Sequence, residues 1–142
     1  MEKKLVLTVH VTIDRTQVTS FDSPAGSVVM IPFGGTVEGE IFNGVVRPGG
    51  VDTQMVNMSG VRHMSARYCL EGTDNTGEPC IIYVDNHGYF TDGDTPHPFK
   101  TVPELLTNSK ALAPYLHRKA FVGEGSAAPE GVTIRIFELA EE

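Results

Sequence analysis

Apolar and polar residues alternate at both ends of the chain. From Leu5 to Ile13 every odd position is aliphatic, and the even positions are mostly threonine or histidine. The segment from Val132 to Leu139 alternates in the same way. A period of two residues is typical of a strand with one buried face. Pairing of the first strand with the last would close the sheet into a barrel.

Turn signals divide the chain between these two segments into short strands. They are rich in glycine, proline, serine and asparagine, which favour the backbone angles that turns require. The signals are Ser23–Gly26, Pro32–Gly35, Asn43-Gly44, Arg47–Gly50 and Ser59-Gly60. Such spacing predicts an all-β, mainly antiparallel fold: a small closed or nearly closed β-barrel with at most one or two short helices. No linker or repeat divides the sequence, so we expect a single domain over residues 1–142.

The longest predicted hairpin joins Val61–Leu70 to Pro79–Tyr89 through a loop at Gly72–Gly77. A symmetric loop would place Cys69 opposite Cys80. On that register one face carries the more polar set, which consists of His63, Ser65, Arg67, Cys69, Cys80, Ile82, Val84 and Asn86. The other carries Met64, Ala66, Tyr68, Leu70, Ile81 and Tyr83. Either the apolar set faces the core, or the polar set lines a barrel lumen; a slip of one residue would exchange them.

One stretch has the features of a helix start. Thr101 offers a side-chain cap ahead of Pro103, and Glu104, Leu105 and Leu106 follow. Proline is favoured in the first helical turn. The sequence therefore predicts a short helix over residues 101–106.

Charge and cysteine content limit the choice of partners. The net charge of −7 disfavours nucleic acid, because phosphate contacts require basic surfaces. No apolar run approaches the ~20 residues that span a bilayer, so no membrane partner is expected. Two cysteines without a secretory signal indicate free thiols and a cytoplasmic location.

The sequence lacks the common catalytic motifs. Its glycine-rich stretches are not followed by Gly-Lys-Ser/Thr, and neither leads from a strand into a long helix, which disfavours nucleotide sites. The five histidines and two cysteines show no metal-ligand spacing. We therefore expect neither a metal nor a cofactor.

Polar residues within apolar strands are the remaining candidates for chemistry. Asp52 follows the Gly49-Gly50 turn, Gln54 lies on the same strand face, Arg67 lies in mid-strand and Asn86 lies near the end of the next strand. A carboxylate, a guanidinium and an amide in one pocket can hold a small molecule and move a proton. The structural alternative makes Asp52 a turn cap with Arg67 as its ion-pair partner.

Several segments resemble the DUF3237 family, also called UPF0311. They are Pro24–Gly26, Ile31–Gly39, Gly44–Asp52, Arg67–Leu70, Tyr83–Tyr89 and Phe121–Gly125, in that order. The resemblance implies a compact β-barrel and gives more weight to Asp52, Arg67 and Asn86. Two positions depart from the family pattern: Thr53 stands where an aromatic residue is common, and Tyr115–Arg118 replaces a tryptophan-containing segment.

These residues lead to a functional hypothesis with alternatives. The favoured interpretation is a small-molecule enzyme of isomerase, lyase or cyclase type, with Asp52 as acid or base, Arg67 neutralising negative charge and Asn86 orienting the ligand. Pocket-wall candidates are Gln54, Tyr83, His87 and Tyr89. One alternative is a non-catalytic carrier that uses the same cavity. Another is a homo-oligomer that buries the apolar hairpin face.

Overall fold

Ten antiparallel strands make up most of the computed structural model, which describes residues 2–90 and 98–139. The strands are β1 Lys3–Ile13, β2 Thr19–Ser23, β3 Gly26–Glu38, β4 Phe42–Val46, β5 Val51–Asn57, β6 Arg62–Asp74, β7 Pro79–Phe90, β8 Phe99–Thr107, β9 Phe121–Ala128 and β10 Gly131–Leu139. A 3-10 turn at Arg15–Gln17 and the helix α1 at Ala113–Leu116 complete the elements.

The sheet closes on itself. Its order is β1-β10-β9-β8-β7-β6-β4-β3, and β1 also pairs with β3, which completes an eight-stranded barrel. Strand β5 lies between β3 and β6, and β2 pairs with the first half of β3. The predicted pairing of the chain ends is confirmed, with Val9 opposite Ile134.

Strand β3 is long and pairs with different strands along its two halves. Its first half pairs with β2 and β5, and its second half pairs with β1 and β4. At Gly35 the φ angle is +138°, and a Cβ there would lie 2.0 Å from the His10 carbonyl oxygen. Gly35 thus lets the β3 backbone approach β1 closely. The predicted turn at Pro32–Gly35 was wrong, because these residues lie within β3. The predicted hairpin at Asn43-Gly44 was also wrong, since both residues lie within β4.

The barrel interior is filled with apolar side chains at one end. The fully buried side chains there are Leu7, Phe42, Leu70, Ile82, Leu116 and Ile136. Leu116 comes from α1, which packs against β8. Burial of these side chains stabilises the barrel, and the polar groups of the interior lie in the opposite half of the lumen.

The β6–β7 hairpin has a different register from the symmetric one. Arg67 faces Asp85 and not Ile82, a shift of three residues. The cause is the turn, in which Asp74 accepts hydrogen bonds from the backbone of Thr76 and Glu78 while Gly77 has φ +87°. This shortens the loop to a three-residue turn with a glycine bulge.

Because the register of β7 relative to β6 shifts by an odd number of residues, each face of the hairpin combines residues from both predicted faces. Met64, Ala66, Tyr68 and Leu70 point inward, as do the even-numbered residues of β7, including Cys80 and Asn86. The odd-numbered residues of both strands point outward. The prediction that Arg67 and Asn86 share a face was therefore wrong. Cys69 lies on the outer face and does not oppose Cys80; both thiols are free.

The segment predicted as a helix over residues 101–106 is strand β8. Phe99, Thr101, Pro103 and Leu105 are buried, and the residues between them are exposed. Pro103 is tolerated because β9 pairs with β8 only as far as Thr101. Among the described residues, no helix is long and apolar enough to cross a membrane.

Candidate functional site in the barrel lumen

Two polar residues enter the lumen from strands on either side of β6. Asp52 on β5 and Asn86 on β7 each pair with Ala66 of β6. Residues that pair across antiparallel strands point to the same side of the sheet, so all three side chains face inward. The methyl group of Ala66 leaves open the space between the carboxyl and the amide.

A cavity lies at this level of the barrel. Its wall is mostly aliphatic and aromatic: Val11, Ile13, Ile31, Phe33, Asp52, Met64, Ala66, Tyr68, Asn86, Phe99, Val132 and Ile134. The cavity measures about 40 Å³, which holds a few atoms or waters, whereas drug-sized ligands occupy roughly 300–1,000 Å³. Val11, Ile13, Ile31 and Val132 are only partly buried. A larger ligand therefore requires side chains at this open end to move.

Four polar atoms in the lumen have no hydrogen-bond partner within residues 2–90 and 98–139. They are Asp52 Oδ1, Tyr68 Oη, Asn86 Oδ1 and Thr101 Oγ1, and each is buried. An unsatisfied buried polar atom costs about 1–3 kcal/mol, and natural interiors contain few of them. Their concentration on one interior surface is typical of a ligand site.

The second oxygen of Asp52 is held by a chain of hydrogen bonds. Gln54 Nε2 donates to Asp52 Oδ2 at 2.8 Å, and Arg62 Nη1 donates to Gln54 Oε1 at 2.8 Å. Burial raises the pKa of Asp52, opposed by the Gln54 hydrogen bond and by the charge of Arg62. A carboxyl with a raised pKa is suited to both giving and accepting a proton.

Tyr68 was predicted on the apolar hairpin face, either in the core or against a neighbouring element or subunit, and not in the site. Its ring packs edge-on against Phe33 with centroids 5.1 Å apart, and its hydroxyl reaches the lumen. Burial raises the pKa of Tyr68, so this hydroxyl stays protonated and can donate a hydrogen bond. The alternation of apolar residues in β6 marks Tyr68 as inward, but an inward tyrosine is usually a core residue.

Thr101 and Arg62 were also missed. Thr101 was placed in a predicted helix, where its hydroxyl would cap the backbone. Arg62 lies within the predicted strand Val61–Leu70 but was assigned to neither face and belongs to no motif. The signal that finds both is alternation: Thr101 lies two residues from Phe99, and Arg62 lies two residues from Met64, on the inward faces of β8 and β6.

Glycines on the wall create room beside Asn86. A Cβ on Gly123 would lie 2.3 Å from Thr101 Oγ1 and 3.5 Å from Asn86 Oδ1. A Cβ on Gly88 would lie 3.4 Å from Thr101 Cγ2. Any larger residue at Gly123 would occupy the space into which Thr101 and Asn86 point.

The other predicted site residues lie on the outside of the barrel. Arg67 is largely exposed, with its Nε 3.7 Å from Asp85 Oδ2. His87 Nε2 lies 2.9 Å from Asp85 Oδ1, Tyr83 faces outward on β7, and Tyr89 is 69% exposed. Their predicted contribution to the lumen was wrong, because the register of the β6–β7 hairpin turns them outward.

His87 and Tyr89 border an open groove on the outer surface. The groove measures about 670 Å³, and charged residues on its rim include Lys3, Lys100 and Glu124. Lys3 and Glu124 form an ion pair across it. The groove also includes Thr101, whose hydroxyl is buried, but its charged groups lie at the surface. The polar atoms of Asp52, Tyr68 and Asn86 are buried and unpaired among the described residues, so the lumen is the stronger candidate site.

Metal ligands are not assembled in the described part of the chain, where no three His, Cys, Asp or Glu side chains converge. The lumen offers one carboxylate, one amide oxygen and two hydroxyls. Divalent metals favour several charged or imidazole ligands. The arrangement is better suited to hydrogen bonding and proton transfer by the side chains themselves.

Comparison with known proteins agrees with this architecture. The family model described as "Protein of unknown function (DUF3237)" matches residues 1–139. A UPF0311 protein of Clostridium acetobutylicum is 29% identical over 155 residues, covering 99% of this chain and 95% of that protein.

Solved structures share the barrel. A protein of unknown function from Clostridium acetobutylicum superposes with a TM-score of 0.78 at 28% identity, covering 99% of this chain and 100% of that one. A structure described as an enzyme from Penicillium herquei superposes with a TM-score of 0.72 at 16% identity, covering 98% and 94%. At that identity the similarity extends to the fold alone.

Proposed function

This chain belongs to the DUF3237 family, and from the geometry of its lumen we propose that it is a small-molecule enzyme that transfers protons. Asp52 is the acid and base, Asn86 orients the ligand, and Tyr68 and Thr101 donate hydrogen bonds to it. The supporting observation is that three unpartnered polar atoms, those of Asp52, Tyr68 and Asn86, belong to the wall of one apolar cavity.

The chemistry follows from these groups. The neutral Asp52 carboxyl gives its proton to the carbonyl oxygen of the ligand, and the resulting carboxylate takes a proton from the carbon next to that carbonyl. The C–H electron pair forms the C=C bond of an enol, and the hydroxyl donors stabilise the negative charge that develops on the oxygen. Asp52, protonated again, then returns a proton to the same or another carbon and takes back the enol proton. Return at another carbon is an isomerisation, and expulsion of a leaving group from the enol is an elimination.

Arg67 has no part in this mechanism. It was expected to neutralise the developing charge, but its guanidinium lies outside the barrel beside Asp85. Arg62 is the arginine linked to the site, through Gln54.

A deuterium-exchange assay tests the proposal. A panel of small carbonyl compounds is incubated in D₂O with the wild type and with Asp52→Asn. Deuterium uptake is followed by mass spectrometry and binding by ligand-observed NMR. The proposal expects uptake above background only with the wild type.

Two other outcomes would overturn it. Binding to both proteins without deuterium uptake would identify a carrier that uses the same cavity. Absence of binding to either protein across the panel would remove the lumen as a ligand site. The apolar wall of the cavity makes the carrier the main competing function.

A further inference from the structure

The two oxygens of Asp52 have different surroundings. Oδ2 accepts the hydrogen bond from Gln54, whereas Oδ1 is buried and has no partner in residues 2–90 and 98–139. A neutral carboxyl carries its proton on one oxygen only, and that oxygen becomes a donor. The surroundings therefore decide which oxygen can hold the proton.

Arg62 fixes the orientation of the Gln54 amide. A guanidinium has five N–H donors and no acceptor, so the amide atom that faces Arg62 Nη1 at 2.8 Å must be the carbonyl oxygen. The amide nitrogen of Gln54 then points at Asp52 Oδ2. Because that nitrogen is a donor, Oδ2 must remain an acceptor in both protonation states.

From the fixed orientation of the Gln54 amide we propose that Arg62 and Gln54 are positioning residues. They make Oδ1 of Asp52 the oxygen that carries the proton, and they direct this oxygen into the lumen. The lumen thereby binds an uncharged ligand that has an acceptor oxygen. This deepens the proposed function, on which its second part rests. The residue order along the barrel agrees with it: Arg62, Gln54 and Asp52 occupy successive inward positions on β6 and β5, from the open end inward.

The charges around the cavity select the ligand class. Among the described lining residues, Asp52 and Tyr68 are the titratable groups, and there is no lysine or arginine. The lining positions on β1, β3, β7, β8 and β10 are all uncharged. The charge of Arg62 lowers the pKa of Asp52, as does the separate hydrogen bond from Gln54. A carboxylate or phosphate ligand would find no cation on this wall, whereas a carbonyl or hydroxyl oxygen would find donors at Asp52 Oδ1 and at the Tyr68 hydroxyl.

The first experiment measures the titration of the Asp52 carboxyl by ¹³C NMR in three variants. Gln54→Glu keeps the shape and the Arg62 contact but replaces the donor with an acceptor. Arg62→Gln removes the charge and keeps an amide. Arg67→Gln is the matched control on the outer face of the same strand. The pKa of Asp52 is expected to rise in the first two variants and to stay at the wild-type value in the control.

Unchanged titration of Asp52 in both Gln54→Glu and Arg62→Gln would overturn the positioning role. A purely structural role would lower the melting temperature without moving this titration. A ¹⁵N–¹H spectrum of each variant verifies the fold. Since this readout needs no substrate, it stays valid even if the deuterium-exchange assay fails.

The second experiment tests the ligand class with acetone and acetate, which have equal numbers of heavy atoms. Binding is followed by ¹³C shifts of the Ala66 and Met64 methyl groups. Acetone is expected to bind the wild type more weakly as pH rises through the Asp52 titration, and to bind Asp52→Asn equally at every pH, because the fixed Gln54 turns the Asn amide nitrogen into the lumen. Tighter binding of acetate than of acetone, or pH-dependent binding of acetone to Asp52→Asn, would contradict the assignment.

Discussion

Asp52 and Asn86 face each other across a single alanine. Both pair with Ala66, one from each neighbouring strand. Since adjacent strands lie about 4.8 Å apart, their Cα atoms are roughly 10 Å apart. This distance leaves room for a few ligand atoms between the carboxyl and the amide, above a methyl group that occupies little of it. The separation of Asp52 and Asn86 therefore sets the width of the candidate site.

Replacing Asp52 by asparagine should change how stability depends on pH. Burial raises the pKa of Asp52, so the folded protein holds this proton more tightly than the unfolded chain. Its contribution to stability is then fully present below the unfolded pKa and declines as pH rises through the folded pKa. Asp52→Asn has no such decline and should be the more stable protein at neutral pH, by ~1.4 kcal/mol for each unit of pKa difference.

Urea denaturation at intervals from pH 3 to pH 8 measures this difference. The stability curves of the two proteins should converge at the acid end and separate as pH rises. Parallel curves over the whole range would show that Asp52 ionises as readily in the folded barrel as in the unfolded chain.

Removing the Thr101 hydroxyl should stabilise the protein. Its Oγ1 is buried and unpaired among the described residues, so Thr101→Val exchanges an unsatisfied polar atom for a methyl group of similar size. We expect a gain of about 1 kcal/mol together with weaker ligand binding, since functional sites often sacrifice stability.

Thr107→Val on the same strand is the matched control. The Thr107 hydroxyl donates to the Ile81 carbonyl at 2.7 Å and accepts from the Ser109 backbone at 3.1 Å. Its loss should destabilise the protein by about 1 kcal/mol. Both free energies of unfolding come from urea titration, and a destabilised Thr101→Val would mean that this hydroxyl has a partner in the folded protein.

The barrel itself could be predicted because its closing strands repeat a simple pattern. Alternation along β1 and β10 predicts most of the buried positions, and Val9 and Ile134 occupy the interior as expected. The pattern fails at Leu5, which is exposed while Val6 is buried, because a bulge interrupts the pairing between Leu5 and Leu7. The register of the β6–β7 hairpin could not be predicted from this pattern, because it depends on the hydrogen bonds that Asp74 accepts in the turn. A shift of three residues reversed the face of β7 relative to β6.

The candidate site was predicted in part for the same reason. Asp52 and Asn86 are polar residues in apolar strands, and each points inward. Arg67 has the same sequence pattern but the opposite orientation. Thr101 was missed because a threonine ahead of a proline is typical of a helix start, and the pairing of Pro103 with Asn86 that makes it a strand is a tertiary contact.

Adding a methyl group at Gly123 should disturb the lumen. The new Cβ would lie 2.3 Å from Thr101 Oγ1, and overpacking of this kind costs roughly 1–3 kcal/mol. Gly34→Ala is the matched control, since a Cβ there meets nothing within 4 Å. The double variant Gly123→Ala with Thr101→Ala should recover much of the loss, because the clashing oxygen is gone. Additive losses in a double-mutant cycle by urea denaturation would show that the strain lies elsewhere.

The turn that sets the hairpin register should make the protein sensitive to acid. Asp74 accepts hydrogen bonds from Thr76 Oγ1 at 2.6 Å and from Ser109 Oγ at 2.7 Å, and these lower its pKa to about 2. Because the folded pKa lies below the unfolded one, the stabilisation is present above about pH 4 and is lost as pH falls towards 2.

Asp74→Asn tests this, since an amide has one acceptor oxygen where the carboxylate has two. The variant should be less stable than the wild type at pH 7, and its stability should fall less steeply between pH 4 and pH 2. Ser109→Ala removes one donor and keeps the carboxyl, so it should lower stability while retaining an acid decline. Urea denaturation of the three proteins across this pH range gives the comparison, and an acid decline in Asp74→Asn as steep as that of the wild type would assign the acid sensitivity to other carboxylates.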